Sequence, residues 1–167
     1  RLDYDSEGLL LLTNDGDLMN HLLHPSHEVS KVYLARVSNQ VTEAELARLR
    51  AGVIIEGKMT SPANVRLVRK ETFCSVVLVS IHEGRNRQIR KMCEALGLEV
   101  ARLKRIAVGN VKLGTLPAGK YRDLTEQEIN SLMTAAGVKT NEGKYISYED
   151  LKIQRVLILT LKQQNQT

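Results

Sequence analysis

The chain has 167 residues, 43% hydrophobic and 26% charged, which is long enough for one domain with its own apolar core and too apolar for disorder as the main state. Lys and Arg outnumber Asp and Glu by 24 to 19, giving net +5, a balance that leans towards an anionic partner. The longest apolar stretch near the start, residues 9–12, is far too short to span a bilayer, and no basic segment followed by a long apolar run marks a secretory signal, so the expectation is a soluble, cytoplasmic protein without membrane contact.

In chain order, residues 8–13 read as a buried strand whose leucines belong to the core. Asn14, Asp15 and Gly16 turn the chain into a helix carrying Leu18, Met19, Leu22 and Leu23, which Pro25 ends. Residues 29–38, around Val32, Tyr33 and Val37, predict a strand, and Thr42 with Glu45 forms a capping box for a helix closed by Gly52. Residues 64–68 and 73–81 predict an antiparallel hairpin. Asn86 is placed to cap a helix bearing Ile89, Met92, Cys93 and Leu96, with Gly97 as its stop. Residues 98–108 and 111–113 are further strands, and Thr125 with Glu128 predicts a second capping box for a helix to about Ala136. The element list is that of a mixed α+β domain. After Gly137 the patterning weakens, and the run Val156, Leu157, Ile158, Leu159 is open to reading as an added strand, a docking tail or a piece of a following element.

Cys74 and Cys93 are too scattered for a zinc site or a disulfide framework and read as two buried, reduced thiols. His21, His24 and His27 recur every third residue, but Pro25 interrupts the helix that would align them, so no metal is expected. Asp3, Asp5 and Glu7 stand at alternate positions of a loop, which does not establish the facing carboxylates of a glycosidase.

The positive charge is concentrated. Residues 85–105 hold Arg85, Arg87, Arg90, Lys91, Arg102, Lys104 and Arg105 against only Glu94 and Glu99. Three of these arginines sit at the start of a predicted helix, where the dipole favours anions, so stability alone does not select them. They suit a surface that faces phosphates, or else a solvated face paired with local acids such as Glu83.

Three motifs narrow the reading. Arg1-Leu2-Asp3 followed by residues 6–16, SEGLLLLTNDG, resembles the first motif of the RsuA-type ribosomal RNA pseudouridine synthases; Lys31-Val32-Tyr33 is similar to the second, and residues 83–92, EGRNRQIRKM, to the third. The resemblance covers about residues 1–136. It implies a pseudouridine synthase catalytic fold, α+β with a mixed, mostly antiparallel sheet, helices packed on it and the active site in a basic cleft. It implies Asp3 as the catalytic residue, Tyr33 packed against the target base and Arg90 paired with Asp3. Arg1 would help fill or hold open the space that the base vacates, while Arg85, Arg87, Lys91, Lys104 and Arg105 are the expected RNA contacts. The implied partner is ribosomal RNA, more in the style of the large subunit, with no cofactor and no metal, and the protein a monomer. Family members usually carry a small S4-type domain and an opening part of the catalytic domain before the first motif, so the sequence reads as a catalytic domain over residues 1–137 of a longer protein, with 138–167 an extension of unassigned role. A non-catalytic RNA-binding module with the same fold is the alternative.

Overall fold

The computed structural model describes residues 1–137 and 156–161. The first apolar run is strand β1 (Ser6–Thr13), and the Asp15 carboxylate, accepting from the Leu18 N–H at 3.0 Å, caps helix α1 (Gly16–Leu23). Pro25 cannot continue that helix and opens a short 3-10 turn instead, Pro25–His27. Strand β2 (Lys31–Ser38) leads to α2 (Glu43–Ala51), where Thr42 and Glu45 make both bonds of the expected capping box. A small ribbon that the sequence did not announce, β3 (Ile54–Ile55) with β4 (Lys58–Met59), precedes the expected hairpin of β5 (Asn64–Lys70) and β6 (Cys74–Ile81).

Helix α3 (Gln88–Ala95) starts later than Asn86 would have placed it. Its N-cap is Arg87, in the left-handed region at φ 50° with no side-chain cap, while the Asn86 amide oxygen accepts from Lys91 at 3.3 Å. Gly97 at φ 75° ends the helix as expected, with the Leu98 N–H returning to the Cys93 carbonyl. Then come β7 (Glu99–Val108), β8 (Val111–Lys112), β9 (Tyr121–Asp123), α4 (Glu126–Ala135), opened by the Thr125–Glu128 capping box, and β10 (Val156–Leu161).

Among the described residues the main sheet has eight strands, ordered β5-β6-β2-β7-β1-β10-β9 with β8 on β7. Only β1 and β7 pair in parallel, so the fold is the expected α+β type with a mostly antiparallel sheet. β10 lies between β1 and β9, so part of the stretch after Gly137 is an added strand; the rest lies outside the described residues.

Two apolar clusters carry the packing. One joins Val37, Val77, Val79 and Leu103 of the sheet to Leu46 and Leu49 of α2 and Ile89 and Met92 of α3. The other joins Leu9 and Val111 to Leu18 of α1 and Ile129 and Leu132 of α4. The leucine run is not uniformly core, because successive strand residues face opposite sides: Leu9 is fully buried while Leu12 is exposed. Cys74 and Cys93 are both buried and unbridged, and burial pushes the Cys93 thiol up to about 12, keeping it protonated and unreactive.

Candidate active site

The residues before β1 form a turn in which the Asp3 carbonyl accepts from the Ser6 N–H at 3.0 Å, so Asp3 stands at the mouth of the strand and Asp5 inside the bend. β1 then runs unusually close to β7. Gly8, paired with Arg105, has φ 102°, and a Cβ there would lie 2.2 Å from the Arg105 carbonyl oxygen. The Arg105 side chain, only 8% exposed, donates through Nε to the Leu9 carbonyl at 2.9 Å and towards the Arg1 carbonyl at 3.4 Å. The segment carrying Asp3 is thereby fixed to the sheet by backbone proximity and one buried guanidinium.

Asp5 is the second fixed point. Arg87 grips its carboxylate with two bonds of 2.7 and 2.8 Å, and Arg90, buried on α3, donates to the Asp5 carbonyl at 2.7 Å and to the Val100 carbonyl at 2.9 Å. The Arg90 Nε, at 3.5 Å from the Asp5 carboxylate, is close enough for ionic attraction and too far for a well-formed hydrogen bond. The left-handed backbone of Arg87, a conformation that costs energy for a residue with a side chain, is retained by this double grip. The Arg87 bonds hold the Asp5 carboxyl below its ordinary value of 3.8, with the Arg90 and Arg87 charges adding to the effect against some desolvation.

Asp5→Asn should therefore destabilise the protein by about 2 kcal/mol at neutral pH, as expected for loss of hydrogen bonds between charged groups, measured by urea unfolding. A carboxyl with a lowered folded pKa contributes fully above its unfolded value, and loses that contribution as pH falls through the folded one. The gap between wild type and variant should accordingly be constant near neutrality and close as pH drops below 3.8.

A cleft of about 980 Å³ opens beside this loop, drawing apolar lining from both clusters through Val29, Ile89 and Leu103. Asp3 lines it. Lys31 and Tyr33, two residues apart on β2 and so on one face of the strand, line it as well. β2 is out of step with β7 between Val32 and Tyr33, a bulge that sets Tyr33 opposite Arg105. The loop of Glu83, Gly84, Arg85 and Asn86 and the residues His24 and His82 complete the rim. Among the described residues no hydrogen bond or ion pair engages the Asp3 carboxylate, although its charge contributes to holding the nearby Arg87 guanidinium protonated, after the larger effect of Asp5. A carboxylate kept free in a cleft lined by arginine, lysine and a flat aromatic ring is suited to act on a flat, polyanionic substrate.

Residues 1–95 match the model of a protein family described as RNA pseudouridylate synthase. The chain belongs to this family. It is 45% identical over 139 residues to an uncharacterised RNA pseudouridine synthase of Aquifex aeolicus, covering 83% of this chain and 56% of that one. It is 44% identical over 138 residues to the ribosomal large subunit pseudouridine synthase B of Bacillus subtilis, covering 81% and 57%. The fold matches a crystal structure of a pseudouridylate synthase with a TM-score of 0.74 at 36% identity, over 79% of this chain and 57% of that one. The chain thus spans little more than half the length of these pseudouridine synthases.

Set against the family-based expectations, the cleft gathers Arg1, Asp3, Tyr33, Arg85, Arg87 and Arg105, but not Arg90, Lys91 or Lys104. The expected Arg90–Asp3 pair does not form, because the approach of β1 to α3 offers Arg90 the Asp5 carbonyl and carboxylate instead. Arg85 faces inwards with its donors, holding the Ile55 and Lys58 carbonyls of the β3–β4 ribbon at 2.7 and 3.1 Å. Lys91 pairs with Glu56 of the same ribbon at 2.6 Å. Lys104 alternates with Leu103 and Arg105 on β7, and so falls on the other side of the strand from the cleft. Glu83, the acid suggested as an arginine partner, instead accepts from the Gln88 amide and the Ser61 N–H.

Two residues that shape the site were given no role by the sequence reading. Lys31 was legible in principle, since it sits two positions before Tyr33 on a predicted strand; Asp5 was not, because its partners lie 82 and 85 residues away. The three histidines come together despite Pro25, with His27 5.7 Å from His21 and 5.4 Å from His24 between ring centres. Their Nδ1 atoms are engaged by the Asp17 carbonyl, the Ser26 hydroxyl and the His21 carbonyl. Among the described residues no cluster of three or more His, Cys, Asp or Glu is arranged to hold a metal ion, and no helix is long and apolar enough to cross a membrane.

Proposed function

We propose that this chain carries the catalytic site of an enzyme that isomerises a specific uridine of ribosomal RNA to pseudouridine, with Asp3 as the catalytic residue. The observation that carries the reading is the unengaged Asp3 carboxylate in a basic cleft that Tyr33 also lines. In the reaction the bond from ribose C1′ to uracil N1 breaks and C1′ joins C5; C5 loses a proton and N1 takes one, so no electron carrier or cofactor enters. Breaking the glycosidic bond develops positive charge on the sugar, which a carboxylate stabilises, attacks or relieves by taking a proton. Tyr33 is the wall on which the detached uracil is retained while it turns. The base reaches the pocket by leaving its stack, and Arg1 and Arg87 at the rim hold the opened RNA. Arg90 is a positioning residue, fixing the Asp5 backbone two residues beyond Asp3.

The name of the Bacillus relative supports a large-subunit target, and the reading places the protein in the cytoplasm as a monomer. The test is release of tritium to water from unmodified ribosomal RNA labelled at uracil C5. Release in proportion to protein supports isomerisation; RNA binding without release supports a binding module instead.

A further inference from the structure

Lys31 lines the cleft two residues before Tyr33 and has no role in the expected site. Its ammonium is half-buried, and a Cβ on Gly84 would stand 3.8 Å from Nζ, which places the charge between β2 and the loop before α3. No hydrogen bond or ion pair among the described residues engages it. Of the charged groups that share the cleft, Asp3 is unengaged but forms no ion pair with Lys31, and several others have partners of their own. Arg105 is bonded to the Leu9 carbonyl, Glu83 to Ser61 and Gln88, and Arg87 to Asp5, while the ring of His82 is bonded to the Glu28 carbonyl. Burial depresses the Lys31 ammonium's affinity for its proton, the Arg105 charge depresses it further, and no neighbouring carboxylate offsets either effect. A cation held out of water without a counter-charge is costly unless an anion arrives with the ligand.

We propose that Lys31 anchors a backbone phosphate flanking the target nucleotide, while Tyr33 contacts that nucleotide's base; this rests on the cleft being the RNA site proposed above. A phosphate is favoured over a uracil carbonyl because only a full negative charge compensates an unpaired ammonium. Residues two apart on a strand are separated by about 6.6 Å, so the two side chains can serve the base and the phosphate of one nucleotide. Lys31 thus sets which nucleotide is presented to Asp3.

The experiment measures affinity for a 20-nucleotide ribosomal RNA hairpin with one unpaired uridine, and for the same hairpin with neutral methylphosphonates on both sides of that uridine. Lys31→Met should weaken binding of the ordinary hairpin about tenfold or more, the usual scale for a lost charged hydrogen bond, and Lys31→Arg should restore most of it. On the neutral hairpin wild type and Lys31→Met should bind alike. Without RNA, Lys31→Met should unfold at the same temperature as wild type or higher, since it removes an uncompensated charge. Equal affinities for the ordinary hairpin, or a difference that persists on the neutral one, overturns the phosphate contact. No binding of either hairpin by the wild type overturns both this contact and the RNA site. The predicted Lys31 dependence without any tritium release contradicts only the isomerase reading.

Discussion

Asp3→Asn is expected to lower the single-turnover rate of pseudouridine formation by at least about a thousandfold, the scale of losing a group that acts directly on the reacting atoms. The substitution keeps the size and polarity of the side chain and removes its charge. Because nothing in the described structure bonds to the Asp3 carboxylate, the fold has little to lose, and stability should stay within about 0.5 kcal/mol of wild type, as for ordinary surface changes. RNA affinity should be retained or slightly raised, since one negative charge leaves a basic cleft. The combination of lost chemistry, intact fold and intact binding separates a catalytic carboxylate from one that merely holds the loop. Asp5→Asn provides the contrast, because that carboxylate is bonded to Arg87 and lies against Arg90, so its loss should register in stability.

Gly8→Ala should be the most destabilising single substitution near the site. Two penalties coincide there: φ of 102° is unfavourable for any L side chain, and the added methyl would lie 2.2 Å from the Arg105 carbonyl oxygen and 2.9 Å from its nitrogen. The obstacle is backbone, which cannot rotate away, so β1 must separate from β7 or the mutant must strain. The expected cost is about 3–5 kcal/mol, which for a chain of this size lowers the unfolding temperature by roughly 10 °C. Activity of the surviving folded fraction should also fall, because the same separation strains the Arg105 bond to the Leu9 carbonyl and shifts the turn that presents Asp3. Gly16→Ala, with nothing within 4 Å of the added Cβ, is the control and should be neutral to within about 0.5 kcal/mol. A Gly8→Ala protein as stable as the control would show that the close approach of β1 to β7 is not required.

The contrast between Thr42 and Asn86 shows how far local sequence reaches. Thr42 and Glu45, like Thr125 and Glu128, complete a reciprocal pair of bonds within four residues, so each predicted helix start is realised. Asn86 has the right chemistry for a cap, but Arg87 is drawn into a left-handed conformation in which its side chain meets Asp5, and the helix begins one residue after it. The partner of a buried arginine is likewise a tertiary property. The motif marks Arg90 as a candidate site residue, yet whether it meets Asp3 or Asp5 depends on how β1 approaches α3. Arg85 and Lys91 look from their spacing like RNA contacts, and they engage the β3–β4 ribbon, two short strands whose pairing no periodicity signals. The insertion of β10 between β1 and β9 is equally nonlocal: its apolar run was visible, its neighbours were not.

The most direct test is site-resolved mapping of pseudouridine in unmodified ribosomal RNA after incubation with wild type or with Asp3→Asn. A new pseudouridine at a defined large-subunit position with wild type, absent with Asp3→Asn at equal RNA occupancy, is the expected result. The same modification by both proteins would remove Asp3 from the chemistry, and bound RNA left unmodified by the wild type would contradict the isomerase assignment for this chain.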